Sequence, residues 1–304
     1  MSRTILLIVH SGREEATKVA TAFAEDIRGS GISVRILESD EEALVAAGLT
    51  DAEVVPALNA AEGCELAVVF GGDGTILRSA EICHPTDTPL LGVNLGHVGF
   101  LAEADVEDIH HVVRGVVDRT YEVEERLTLD VEVIVAGKVV ATNWALNEAS
   151  VEKAARERML EVVVEVDGRP VSRWGCDGVV CATPTGSTAY NFSAGGPIVW
   201  PEVQALLMVP ISAHALFARP LVVSPSSTLA VEVVGETACG VLWCDGRRAS
   251  ELPTGARVEV RRSERPVYLA RLQEAPFADR LVRKFDLPVA GWRGAAERRM
   301  QDLD

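Results

Sequence analysis

Thr4-Ile-Leu-Leu-Ile-Val9 is an unbroken apolar run that ends at Ser11-Gly12. A run that continuous reads as a strand buried on both faces. From Glu14 to Arg28 the apolar residues Val19, Phe23 and Ile27 recur at every fourth position, which is one face of a helix. Gly29-Ser30-Gly31 stops it. Ile32, Val34 and Ile36 then alternate as in a strand. The cycle repeats: Leu66–Phe70 predicts a strand, a glycine turn follows, and a helix starts near Thr75. Pro89–Val93 predicts a third strand, followed by Asn94–Gly99 and a helix over Val106–Val117. Strand, turn and helix in repetition predict a parallel sheet covered by helices.

Near Thr120 the periodicity changes. Leu127, Leu129, Val131, Val133 and Val135 alternate, Ala136-Gly137-Lys138 makes a turn, and a strand returns through Val139 and Val140. Leu160, Val162, Val164 and Val166 alternate up to Asp167-Gly168, a hairpin signal. Further short strands are expected at Leu229–Val234, Gly240–Cys244, Ala256–Arg261 and Pro266–Leu272, with a short helix around Glu202–Met208. The fold expected is therefore an α/β N-terminal domain with a parallel sheet, residues 1–120, and a mostly antiparallel β domain, residues 121–275. Leu281, Val282 and Phe285 return to helical spacing, so residues 276–304 are expected to pack as a helix on the first domain.

Length and charge narrow the function classes. The 304 residues suffice for two domains, and 48% apolar content supplies their cores. Twenty-nine Lys and Arg against 45 Asp and Glu leave a net charge of −16, which argues against a sequence-independent grip on nucleic acid or anionic lipid. The first apolar run is too short to span a membrane. Six cysteines are too sparse for a disulfide framework, and a reduced, cytoplasmic setting is expected.

The sharpest candidate for chemistry is Gly71-Gly72-Asp73-Gly74-Thr75, between a buried strand and a helix. In open α/β sheets ligands sit at the carboxyl ends of strands, and glycines let the backbone approach a ligand closely. Thr75 suits a helix N-cap. Asp73 would repel a phosphate, so its place makes better sense against a hydroxyl that must lose a proton. No GxxxxGK[ST] is present, which excludes a P-loop. Arg78, in the first turn of that helix, opposes the helix dipole unless an anion lies nearby. His10 and Arg13 follow the first strand and could reach a phosphate there. Pro184-Thr-Gly-Ser-Thr-Ala-Tyr190 offers hydroxyls, a glycine and an aromatic plane. In Asn147-Glu148, an amide suits an adenine edge and a carboxylate suits ribose hydroxyls. Asp177-Gly178 and Asp245-Gly246 read singly as turns. Cys176 and Cys181 lack the partners of a zinc set and read as buried thiols; His110 and His111 read as solvated helix residues.

Taken together, GGDGT at Gly71–Thr75, GVNLGHVGFL at Gly92–Leu101, NE at Asn147–Glu148, CDGVVCATPTGSTAY at Cys176–Tyr190, SAGGP at Ser193–Pro197 and CDG at Cys244–Gly246 resemble the NAD kinase family. The resemblance implies a β-sandwich-like second domain that binds NAD and mediates oligomerisation, with the site between the two domains. It implies a homodimer or homotetramer, and phosphorylation of the adenosine-ribose 2′-hydroxyl of NAD by ATP, or by polyphosphate, to give NADP. Asp73 would be the general base, with Gly72 and Gly74 allowing close approach. Asn147 would hold the adenine and Glu148 ribose hydroxyls. Thr188, Ala189, Tyr190, Asn191, Phe192 and Ser193 would wall the nucleoside, and Arg78 and Arg158 would add basic contacts. Asp177 and Asp245 would complete the pocket, Asp177 being a candidate for donation from a neighbouring subunit. The scarcity of nearby lysine implies a divalent cation, Mg²⁺, held largely by the donor's phosphates, with no metal ligand assigned to the protein. Two rivals remain: a diacylglycerol-type lipid kinase, which shares the glycine–aspartate turn, and a non-catalytic nucleotide sensor.

Overall fold

The computed structural model describes residues 3–95, 99–102, 104–105, 109–155, 159–234, 239–272 and 276–289. They form two compact units: one holds the described residues up to Glu124 and those from Tyr268 onward, the other is Glu125–Val267. The first segment carries β1 (Thr4–Val9), α1 (Glu14–Gly29), β2 (Ser33–Leu37), α2 (Glu38–Ala46), β3 (Glu53–Val55), β4 (Leu66–Phe70) and α3 (Asp73–Cys83). It continues through β5 (Leu90–Asn94), β6 (Ala104–Asp105), α4 (Ile109–Asp118) and β7 (Glu122–Arg126). The second unit runs β8 (Leu129–Val135), β9 (Lys138–Ala145), β10 (Glu148–Lys153), β11 (Leu160–Val166), β12 (Arg169–Cys176), β13 (Gly178–Ala182) and α5 (Tyr190–Ser193). It then adds β14 (Leu206–Ile211), β15 (Leu221–Val223), β16 (Leu229–Val233), β17 (Gly240–Cys244), β18 (Arg248–Leu252) and β19 (Arg257–Arg262). β20 (Val267–Arg271) and α6 (Phe277–Phe285) return the chain to the first unit.

The first unit is built on one sheet in the order β3-β2-β1-β4-β5-β20-β7, with β6 beside β5. β1 pairs in parallel with both β2 and β4, so the strand order reverses between β1 and β4. A crevice at the carboxyl ends of the strands opens at such a point. The continuous apolar reading of the two strands holds: Ile5–Val9 and Leu66–Phe70 are wholly buried. α1 lays Ala16, Ala20, Phe23 and Ile27 on the sheet, with the Phe23 ring 5.5 Å from that of Phe70. The second unit is a pair of six-stranded antiparallel sheets, β15-β14-β13-β10-β17-β18 and β12-β11-β16-β19-β8-β9. Leu129, Val131, Val162, Trp174, Cys181, Leu242 and Val258 belong to the core that their facing sides share.

Two expectations are corrected. The strand placed with the antiparallel half at Pro266–Leu272 supplies β20 instead, which pairs in parallel with β5. The helix expected around Glu202–Met208 is absent: Leu206–Ile211 is β14, with Met208 in the sandwich core and Leu207 and Val209 in a second apolar cluster on the other face. A run buried on both faces shows no helical stripe, and Pro210 has no N–H for a helix interior.

One ionic node ties the first unit together. Glu65 accepts from Arg3 (2.7 Å), Arg119 (2.5 Å) and the Tyr121 hydroxyl (3.0 Å), while Arg3 also donates to the carbonyl of Val117 (2.7 Å). Burial alone would raise the Glu65 carboxyl, but hydrogen bonds from Arg3, Arg119 and Tyr121 outweigh it and hold it at about 2. A carboxyl depressed from 4.5 contributes its full stability above that value and loses it as pH falls toward about 2. Glu65→Gln is therefore expected to cost roughly 1–3 kcal/mol at neutral pH. Its melting temperature should also vary less with pH than that of the parent between 4.5 and 2, as read by thermal denaturation; parallel curves would contradict the assignment.

Candidate functional site

At the end of β4, Gly72 takes the N-cap position and Asp73 is the first residue of α3. The expected start at Thr75 is thereby corrected: Thr75 is buried in the first turn, its side chain filling the space a Cβ on Gly71 would need. Asp73 stands at the positive end of the helix dipole. Its two carboxylate oxygens accept one backbone N–H each, from Phe100 (3.1 Å) and Leu101 (3.1 Å). Gly99 is required here, because a Cβ would collide with that carboxylate. An ionised carboxylate offers about four acceptor sites, so these two bonds orient Asp73 and leave lone pairs for another donor. A Cβ added at Gly72 or Gly74 would meet no protein atom within 4 Å. On α6, Arg280 donates to the Phe100 carbonyl (3.2 Å), and the Phe277 and Phe285 rings pack at a tilt against the Phe100 ring, each with centroids 5.8 Å away. Burial lowers the Arg280 guanidinium, and the charges of Glu124 and Asp73 oppose that.

The second constellation lies where β9 leads into β10. Asp245, in the turn after β17 with φ 53°, accepts from the backbone N–H groups of Leu146 (3.0 Å), Asn147 (2.7 Å) and Glu148 (3.3 Å). Arg248 completes its shell at 2.8 Å and lies over the Trp144 ring, 4.6 Å from the centroid. Asp245 thus spends its carboxylate on setting the path of Leu146–Glu148. Glu148 is itself buried. Burial, reinforced by the neighbouring Asp245 charge, pushes its carboxyl up to about 8, against the pull of the Tyr190 N–H. Burial also raises Asp245, against the pull of the three amides and Arg248. Its Oε2 has no hydrogen-bond partner among the described residues.

The Pro184–Tyr190 segment is locked to the same place. The Thr183 hydroxyl donates to the Leu146 carbonyl (2.6 Å) and accepts from Gly186 N–H (3.0 Å), while Thr183 N–H bonds the Asn147 carbonyl (2.9 Å). Gly186 lies so close to that carbonyl that no Cβ fits. Thr188, Ala189 and Tyr190 are half-buried, and Phe192 and Ser193 are exposed. Asn191 points inward, its amide donating to the carbonyls of Ser187 and Pro197, both at 3.1 Å. Asp177 pairs with Lys153 at 2.5 Å, and that hydrogen bond holds its carboxyl below the usual range. Glu152, Lys153, Ala154, Asp177, Tyr190 and Ile211 line an open pocket of about 440 Å³.

Other candidates are placed differently. Arg78 donates to the Val9 carbonyl (2.9 Å) and sits 3.4 Å from the fully buried Asp40, so the anion its position calls for is supplied by the protein. His10, Arg13 and His110 are exposed, and Cys176 and Cys181 are buried free thiols. Arg158 lies outside the described residues. Among the described residues no helix is long and apolar enough to cross a membrane, and no group of three His, Cys, Asp or Glu is arranged to hold a metal. Sequence reasoning missed Glu152, Lys153, Arg248 and Arg280. For Glu152 a signal existed, since Glu148, Ser150 and Glu152 share one face of a strand by period two.

Comparison with known proteins bears on the whole chain. Residues 5–121 match the family described as ATP-NAD kinase N-terminal domain, and residues 146–272 match ATP-NAD kinase C-terminal domain. The NAD kinase of Thermobifida fusca is 61% identical over 305 residues, covering 98% of this chain and 94% of that protein. NAD kinase 2 of Streptomyces avermitilis is 60% identical over 294 residues, covering 97% and 98%. Among solved structures, yeast NADH kinase complexed with NADH superposes with a TM-score of 0.84 at 23% identity, covering 96% of this chain and 88% of that one. An NAD kinase from Archaeoglobus fulgidus in complex with ATP gives 0.69 at 25% identity, covering 93% and 98%.

The buried acid of β10 has a measurable consequence. A carboxyl raised from 4.5 to about 8 makes the folded state bind more protons than the unfolded one across that window, so its contribution to stability falls as pH rises. Glu148→Gln removes that dependence. The melting temperature of the parent is expected to fall relative to the variant between pH 5 and about 8; superimposable profiles would contradict a buried, protonated Glu148.

Proposed function

The chain belongs to the NAD kinase family, a phosphotransferase that carries the terminal phosphoryl group of ATP to the adenosine-ribose 2′-hydroxyl of NAD, and we propose that Asp73 takes the proton from that hydroxyl. The observation that carries this role is the orientation of Asp73: two backbone amides fix it at the carboxyl end of a buried strand, with lone pairs to spare and no side chain at Gly72 or Gly74 to keep a sugar away. As the ribose O–H bond breaks, its proton passes to the Asp73 carboxylate. The oxygen bonds to the γ-phosphorus, and the bond to the β-phosphate oxygen breaks to release ADP.

The remaining roles follow the same reading. Asn147, on the path that Asp245 sets, holds the adenine edge, and the buried Glu148 meets ribose hydroxyls. Thr188, Ala189, Tyr190, Phe192 and Ser193 wall the nucleoside, with Asn191 bracing them from within. Asp177, half-exposed and ordered by Lys153, is suited to reach NAD from a neighbouring subunit of a homo-oligomer. Asp73 is a lone carboxylate in its turn, so a Mg²⁺ ion would ride on the ATP phosphates, where it neutralises charge on the transferred group. The free cysteines suit the reducing cytoplasm. The relatives described above are kinases of NAD or NADH, and the lipid-kinase reading has no counterpart among them. Retention of Asp73 disfavours a sensor without catalysis.

Asp73→Asn tests the assignment. NAD affinity, measured by calorimetry, is expected to stay within about twofold, whereas turnover falls roughly 10²–10⁴-fold, the worth of a positioned base. Turnover near that of the parent would remove Asp73 from the proton-transfer step.

A further inference from the structure

One peptide group joins α6 to Asp73. Residues 99–102 are neither helix nor strand, so the two amides that Asp73 accepts stand outside any regular ladder. The Leu101 N–H, which donates to Asp73 Oδ1 at 3.1 Å, belongs to the same peptide as the Phe100 carbonyl. That carbonyl accepts from Arg280 Nη1 at 3.2 Å. A trans peptide is planar and points its C=O and N–H in opposite directions. The group is therefore gripped at both ends, by a guanidinium on one side and a carboxylate on the other. Asp73 Oδ2 accepts the neighbouring Phe100 N–H at 3.1 Å, and the Phe277 and Phe285 rings pack against the Phe100 ring with centroids at 5.8 Å. Phe277, Leu281 and Phe285 recur at every fourth position of α6, and Arg280 lies three residues after Phe277. One face of the helix thus supplies both the rings and the guanidinium. All of these residues belong to the first unit.

We propose that Arg280 is a positioning residue: by donating to the Phe100 carbonyl it fixes the peptide whose N–H orients the Asp73 carboxylate. The inference rests on the reading of Asp73 as the group that takes the ribose proton. A charged donor on the carbonyl also polarises the peptide and strengthens its N–H as a donor. A base works only from hydrogen-bond reach of the proton it takes, so a small misplacement is felt in the transition state. Loss of Arg280 should therefore act on kcat and spare KM.

The test is a double-mutant cycle on the intact chain. Arg280→Met keeps an unbranched apolar stem beside the phenylalanines and removes the donors. It is expected to lower kcat roughly tenfold, the worth of one hydrogen bond to a charged group, with KM for NAD and for ATP within about twofold. Arg280→Lys keeps a cationic donor and should bring turnover back to within about threefold of the parent. In the Asp73→Asn background, Arg280→Met should change the residual turnover by less than about twofold, because the base it positions is gone. A loss that persists undiminished there, or one that appears in KM for ATP, would make Arg280 a direct contact of the phosphates and overturn the positioning role. Parent-like turnover in Asp73→Asn alone would instead overturn the reading of Asp73 as the base, and this inference with it.

A second readout needs no substrate. Hydrogen exchange followed by mass spectrometry should rise roughly tenfold at residues 100–101 in Arg280→Met, while β4 and α6 keep the rates of the parent. Unchanged exchange at residues 100–101 would overturn the grip on the peptide. Exchange rising across the whole of α6 would overturn a role confined to this hydrogen bond, since the docked helix would then be what holds the loop.

Discussion

A carboxylate withdrawn from water persists only where donors meet it, and this protein uses that requirement to fix its strand ends. Asp40, fully buried, accepts the Val9 N–H (3.1 Å) and is paired with Arg78. Asp73 gathers the amides of Phe100 and Leu101. Asp245 gathers three successive amides from Leu146 to Glu148. In each case the donors come from residues remote in sequence, so the acid sets the course of a loop that no local propensity would dictate. Charge-assisted bonds of this kind are about twice as strong as neutral ones, and they leave the loops they bind little freedom.

The three acids differ in what remains after the fold has been satisfied. Asp40 and Asp245 have an arginine partner and serve the scaffold. Asp73 stays half-buried with its two amide bonds, beside glycines that leave space around it. That contrast, more than the glycine-rich motif itself, supports the proposed role of Asp73 as the base. Glu148 is the opposite case, since no arginine is assigned to it and burial, reinforced by the Asp245 charge, raises its carboxyl.

The parallel sheet was legible because β1 and β4 are buried on both faces and show it as unbroken apolar runs. The hairpin at Asp167-Gly168 was legible because φ of 53° and 72° suits those residue types. β20 was not placed, because Val267 and Leu269 alternate as any strand does and the choice of neighbour is tertiary. α2 was missed because Glu38–Ala46 is rich in acids and buries only Asp40 and Leu44, too little for a stripe. Of the candidate site residues, Asp73 in the first unit and Asn147 and Tyr190 in the second pointed to chemistry by their residue types alone. Which donors occupy Asp245, and that Asp40 answers Arg78, depended on contacts between distant segments that no spacing encodes.

Proton transfer in this protein turns on one oxygen and one carboxylate. An experimental structure of the chain with NAD and a non-hydrolysable ATP analogue measures their separation. The adenosine-ribose 2′-oxygen is expected within about 2.6–3.2 Å of an Asp73 oxygen, or joined to it through one water. A 2′-oxygen far from Asp73 with no bridging water would contradict Asp73 as the base.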